Sequence, residues 1–207
     1  MRTPEPDLYV YKIVVDSGGA PCVRNNLLSL ALCKPKIRKT AGKGSFVFGF
    51  GGKDYEERLI YIARVTDKLE GTAYYRQGKY ARRPDCIYRV ENGRPVRKAS
   101  AEYHRDSDHR KKDVGLHFQR AYVLLSKDFR YLGRKGTDDY KKSYPQIARL
   151  IEDLTRGHRR HHSVKLRKEL MALKAEIWRK YRRKKVGLPT ENDRHRPCNE
   201  DTPSTRC

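Results

Sequence analysis

Two imidazoles and two carboxylates fall in the stretch YHRDSDH, residues 103–109, and Asp113 close behind adds a third carboxylate. Histidine is the side chain that changes charge near neutral pH, so His104, Asp106, Asp108 and His109 have the types that acid–base chemistry or divalent-metal binding requires. The same run carries Arg105, Arg110, Lys111 and Lys112, which repel cations, and it has neither a strand period nor a helix period. A solvated loop is therefore the competing reading, and no metal is expected. A second group, HRRHH at residues 158–162, puts His158, His161 and His162 at ligand spacing if it is helical. No acidic or cysteine ligand lies beside it. Thirteen Lys or Arg against two Glu between residues 156 and 185 mark that region as one that tracks phosphate.

Phosphate and base recognition need cations and flat rings. Lys34, Lys36, Arg38 and Lys43 lie on a short basic stretch running into a glycine-rich strand end, where side chains can neutralise phosphates that backbone amides hold. Farther along, Arg179, Arg182 and Arg183 are placed to grip a polyanion. Tyr74 and Tyr88 interleave with arginines such as Arg89, and bases stack on aromatic rings at roughly 1–3 kcal/mol each. The competing readings are a solvated basic face for the cations and core packing for most of the tyrosines. Gly42, Gly44, Gly49, Gly51 and Gly52 do not make a triphosphate loop. They follow a short helix and precede or end a strand, and no Lys-Ser or Lys-Thr closes them.

These side chains need a scaffold. Residues 9–15 are β-branched and aromatic, apolar on both faces and closed by DSGG, as a central strand is. Residues 28–33 continue in strand-like fashion, Pro35 opens a short helix to residue 41, and Phe46, Phe48 and Phe50 set aromatics on one face at period two. Residues 59–69, LIYIARVTDKL, read as one strand, and Asn92-Gly93 joins DCIYRV to RPVRKA as a hairpin. RAYVLLS and DFRYLG complete the strands. Helices are predicted over residues 145–155 and 164–183, with Ile147 and Ile151 on one face of the first and Leu166, Leu170, Leu173 and Ile177 on one face of the second. The expected fold is α+β: a small, partly closed β-barrel or curved mixed sheet over residues 1–144, a basic helical extension over 145–185 and a disordered tail over 186–207.

Only 37% of the 207 residues are hydrophobic, and 48 Lys or Arg face 25 Asp or Glu, a formal charge of +23. Such a field concentrates polyanions, so nucleic acid is the expected partner, with DNA its expected form. Charge alone leaves membrane surfaces and acidic proteins open. Five scattered cysteines without paired spacing suit a reducing compartment, and the sequence has no signal-peptide pattern and no apolar run of about 18 residues. A cytoplasmic protein without membrane contact is expected.

In this order, YKIVVDSGGAP, LALCKPKIRKTAGKGSFVFGFGG, RLIYIARVTDKLEGTAYY, RPDCIYRVENG and RAYVLLSKDFRYLG resemble the nucleotide-modification-associated domain families of prokaryotes and their phages, over residues 9–145. The layout is also similar to the PUA, ASCH and EVE group of small barrels, several of which bind modified or flipped bases. The resemblance implies association with systems that install, read or restrict modified DNA bases. It matches Asp85, Ile87, Tyr88 and Arg89 to a family strand, and Asp106, Ser107, Asp108 and His109 to the polar segment that follows it, with a shorter spacer and added basic residues here. The expected function is a DNA-binding module, without cofactor, that takes a modified or flipped base into a barrel mouth. Two alternatives stand beside it: a base- or nucleotide-modifying enzyme built on the His/Asp cluster, and a basic RNA-binding accessory protein.

Overall fold

Alternate residues of the first strand, β1 (Leu8–Ile13), face two different cores, and the layering of the fold follows from that division. The structure is a computed structural model that describes residues 5–104, 107–155 and 157–189. Asp106 and the chain from residue 190, which includes most of the expected tail, lie outside the described residues. After β1 come β2 (Cys22–Arg24), β3 (Leu27–Leu30), α1 (Pro35–Thr40), β4 (Phe46–Gly51), β5 (Leu59–Arg64), β6 (Asp67–Glu70), α2 (Ala73–Arg76), β7 (Tyr88–Glu91), β8 (Arg94–Arg97) and α3 (Ser107–Asp113). The chain continues through β9 (Tyr122–Ser126), β10 (Asp128–Tyr131), α4 (Tyr140–Ser143), α5 (Pro145–Asp153), β11 (His158–Arg159) and α6 (Val164–Lys180).

A five-stranded sheet runs in the order β10-β5-β4-β1-β11, with β1 and β4 parallel and the other pairs antiparallel. On one face Leu8 and Val10 join Phe46, Phe48 and Phe50, and α5 and α6 cover them with Ile147, Ile151, Leu170, Leu173 and Ile177. Tyr9, Tyr11 and Ile13 point the other way with Val47, Tyr61 and Ala63, and there they meet Leu28, Leu30 and Leu124 of a second sheet, β2-β3-β9-β6. Val123 and Leu125 emerge on the far side of that sheet. They found a third core with Tyr74, Tyr75, Tyr80, Tyr88 and Phe118 under α2 and the β7–β8 hairpin. Full burial of each large apolar side chain stabilises by about 1.5–3 kcal/mol, so all three layers are needed.

Two details separate this architecture from the expected one. Residues 59–69 are not one strand. The chain turns at Val65 and Thr66, leaves the first sheet and enters the second as β6, and it crosses back at Lys127 between β9 and β10. These two corners stack the sheets face to face, so among the described residues there are three separate sheets and no closed barrel. The helices also do more than extend the domain. Leu170, Leu173 and Ile177 are as buried as the phenylalanines they touch, and Trp178 Nε1 donates to Asp128 Oδ1 at 2.9 Å. Residues 184–189 then return to β10: Tyr131 N donates to Lys184 O at 2.8 Å, and Val186 N donates to Tyr131 O at 2.8 Å.

The glycines of FVFGFGG serve packing. Gly49 pairs with Tyr61 across β4 and β5, and a Cβ on it would sit 2.3 Å from Tyr61 Cε1. A side chain there would displace a ring of the second core.

Candidate active site

Cys33 stands where the chain leaves β3 and enters α1. Leu32 on one side is fixed in the third core, and Pro35 on the other sets the first turn of α1, so the reversal falls on Cys33 and Lys34. Their φ angles are 54° and 43°. The left-handed region costs a residue with a side chain roughly 1–2 kcal/mol, and it persists only where surrounding contacts hold it. Here those contacts meet at Asp113, the last residue of α3. The Cys33 amide donates to Asp113 Oδ1 at 3.1 Å, and Arg38 Nη2 donates to the same oxygen at 3.3 Å. Arg38 Nε meanwhile donates to the Cys33 carbonyl at 2.7 Å. The guanidinium and the carboxylate are both buried, so the pair fixes the turn that carries the sulfur.

Asp113 Oδ2 takes the third partner, Nδ1 of His104, and His104 Nε2 lies 3.4 Å from Cys33 Sγ. Sulfur, imidazole and carboxylate therefore stand in the order that a thiol nucleophile, its base and an orienting acid would take. Hydrogen bonding to the carboxylate fixes the proton on Nδ1 and turns Nε2 toward the thiol. Burial disfavours the charged ring. The hydrogen bonds to Asp113 and Cys33, and the charges those groups carry, more than offset that and raise His104 to about 10. His104 is itself held in place from behind. Its φ is 48°, Arg97 Nε donates to its carbonyl at 3.0 Å, Arg97 Nη2 donates to the Tyr103 carbonyl at 3.1 Å, and the His109 ring stacks on it with centroids 4.4 Å apart. The thiol is half-buried, whereas Cys22 and Cys86 are buried and burial pushes both of their thiols up, Cys22 to about 12.

Comparison with family models matches residues 5–196 to nucleotide modification associated domain 2. The chain belongs to that family. Comparison with curated proteins and with solved structures finds no match. The nucleotide modification associated domain 2 reaches past the resemblance traced over residues 9–145 and takes in α5 and α6, which accords with their place in the first core.

Within this family domain the predicted residues separate. His104 joins the site and His109 covers its ring, while Asp108 is exposed with Lys111 Nζ at 3.6 Å. Asp113, noted in the sequence only as a neighbour, is the carboxylate that His104 uses. Cys33 was missed. The stretch from residue 107 is helical rather than a loop, and HRRHH is extended rather than helical: His158 pairs with Tyr11 in β11, and His162 Nε2 donates to Leu8 O at 2.9 Å. Among the described residues no three His, Cys, Asp or Glu are arranged to hold a metal ion, and no helix is long and apolar enough to cross a membrane.

Three residues expected to touch nucleic acid are placed elsewhere. Arg38 is 0% exposed and is committed to the carbonyls of Cys33, Asp113 and Tyr122 as well as to the Asp113 carboxylate. Tyr74, 1% exposed, stacks on Tyr80 and donates to Asp85, and Tyr88, 0% exposed, lies in the third core. None of the three faces solvent in this structure. Lys34 is half-buried with its ammonium 4.9 Å from the centroid of the Tyr11 ring. Lys36, Lys43, Arg89, Arg179, Arg182 and Arg183 are exposed, Arg89 beside Glu91.

Proposed function

We propose that the chain is an enzyme of nucleotide modification that works through a covalent thioester on Cys33. The observation that carries this reading is the unbroken contact from Cys33 Sγ through the His104 ring to Asp113, on a strained turn that a buried arginine holds. His104, raised to about 10, holds a proton beside the sulfur, and in this reading the pair reacts as imidazolium and thiolate. The sulfur attacks an acyl carbonyl carbon and the S–C bond forms. Imidazolium then gives its proton to the departing nitrogen or oxygen as the C–N or C–O bond breaks. Water, or an amine or hydroxyl of a second substrate, next attacks the thioester, and its proton passes to Nε2 as the thiolate leaves. Membership of the family supports a nucleotide on one side of this exchange, its base or sugar either giving up or receiving the acyl group.

Polyanion contact belongs to the same proposal. Lys36, Lys43, Arg182 and Arg183 are exposed cations suited to phosphate. A reader that stacks a base between Tyr74 and Tyr88 loses its support, because both rings are interior.

An activated ester tests the thiol directly. Mixed with p-nitrophenyl acetate at neutral pH, the protein is expected to release a burst of p-nitrophenolate and to carry one acetyl group on Cys33 by peptide mapping. Cys33→Ser should abolish the burst, and His104→Gln and Asp113→Asn should slow it by roughly 10²-fold or more. Acetylation that lands on other cysteines, or that is as fast in His104→Gln, would remove the proposal.

A further inference from the structure

Beside the loop that carries His104 lies a recess of about 620 Å³. Its walls come from the turn after β1, residues 81–87, residues 100–103 and residues 185–189; Cys33 and His104 do not line it. Its volume falls in the range of small-molecule sites, about 300–1,000 Å³. Its charge is lopsided. Arg24, Arg82, Lys98 and Lys185 border it against one carboxylate, Glu102, while Arg83 turns away to the carbonyls of Cys22 and Leu27 and to buried Asp85. Among the described residues, the acceptors that Arg24 and Lys98 use are neutral. Arg24 Nη1 donates to the Arg82 carbonyl, and Lys98 Nζ donates to the Ala81 carbonyl at 2.9 Å and lies 3.4 Å from Cys86 Sγ. A site with this imbalance is complementary to an anion that carries several acceptor oxygens, and guanidinium with ammonium suits a phosphate.

The rest of the lining mixes Ser17 and Ser100 with apolar groups. Tyr103 forms part of the wall with Ile87, Leu188 and Pro189, and its hydroxyl is fixed by donation to Ser17 O at 3.1 Å. Gly19 packs against this ring, so a base would stack only on the side that lines the recess, where the fixed ring costs little entropy. We propose that this recess binds a nucleotide 5′-phosphate, with the phosphate among Arg24, Arg82, Lys98 and Lys185 and the base against Tyr103. The phosphate belongs either to a free nucleotide or to the end of a strand. Tyr103 directly precedes His104, and Arg97 donates to the carbonyls of both, so the base-binding wall and the imidazole share one rigid segment. The inference names the substrate class of the thiol enzyme and in that respect rests on the preceding reading, although the binding itself does not.

Calorimetric titration at about 150 mM salt, where long-range attraction is screened, tests it. The probes are the four 2′-deoxynucleoside 5′-monophosphates, the matching nucleosides, and a single-stranded oligonucleotide with and without a 5′-phosphate. At least one monophosphate is expected to bind saturably, and its nucleoside roughly ten-fold more weakly. Arg82→Ser and Lys185→Ser, both on exposed side chains, should each weaken that binding by roughly three- to ten-fold, while Lys165→Ser, exposed on α6, should leave it unchanged. Competition by the 5′-phosphorylated oligonucleotide alone places the phosphate on a strand end, and competition by neither oligonucleotide places it on a free nucleotide. Nucleosides that bind as tightly as their monophosphates, no saturable binding of any monophosphate, or a loss in Lys165→Ser equal to that in Arg82→Ser would overturn the assignment. Absence of acetylation at Cys33 would leave this result standing, so the two readings fail separately.

Discussion

Protonation of His104 ties the site to the stability of the chain. An exposed imidazole titrates near 6.5, and in the fold this one is raised to about 10, so the native state holds the proton more tightly than the unfolded state does. The resulting stabilisation is fully present below pH 6.5, declines as pH rises above it and is gone above about pH 10. Urea denaturation should therefore show stability falling between pH 6.5 and 10 more steeply in the wild type than in His104→Gln. Matching profiles in the two proteins would mean that His104 is neutral in the fold. Much of this site was hidden in the sequence for a physical reason. The cluster around residues 103–113 announced itself through local density, but Cys33 reaches its imidazole across 71 positions, and the spacing of residues carries no information about such a meeting. The visible local sign was a cysteine two residues before a helix-opening proline, which by itself is only a turn.

At the scale of elements, periodicity was a good guide wherever one face of an element is apolar. The phenylalanines of β4, the Asn-Gly hairpin of β7 and β8, and the leucine stripe of α6 lie where alternation and helical spacing put them. It failed for α3, SDHRKKD, which has no apolar stripe to betray a helix, and for Arg38. A cation among lysines reads as surface, yet this one is buried because the carbonyls of Asp113 and Tyr122, 75 and 84 positions away, accept from it. Close packing yields a sharper expectation at Gly49. The added methyl of Gly49→Ala would lie 2.3 Å from the Tyr61 ring, so either the ring or β4 must move. The substitution should lower stability by about 1–3 kcal/mol in chemical denaturation. A loss within about 0.5 kcal/mol would mean that the Tyr61 ring has room to swing aside.

The whole molecule stacks helices, sheet, sheet and an outer tyrosine-rich layer. Strand count suggested a barrel because strand sequences do not encode which neighbour a strand pairs with; the corners at Val65–Thr66 and Lys127 decide that. Charge is a different matter, since its sum of +23 is readable from the sequence and suits a polyanion without naming which one. If Arg182 and Arg183 meet phosphates, Arg182→Glu with Arg183→Glu should weaken duplex DNA binding at all sequences and flatten the plot of log affinity against log salt by about 2, as loss of two phosphate contacts predicts. An unchanged slope would place the polyanion on another face.

The three groups of the triad come from the exit of β3, the loop after β8 and the end of α3, and they meet only through the finished third layer. A partly synthesised or unravelled chain therefore carries an ordinary, sluggish thiol. If Cys33 is the nucleophile proposed above, its reactivity comes into being with the fold and vanishes the moment the protein denatures.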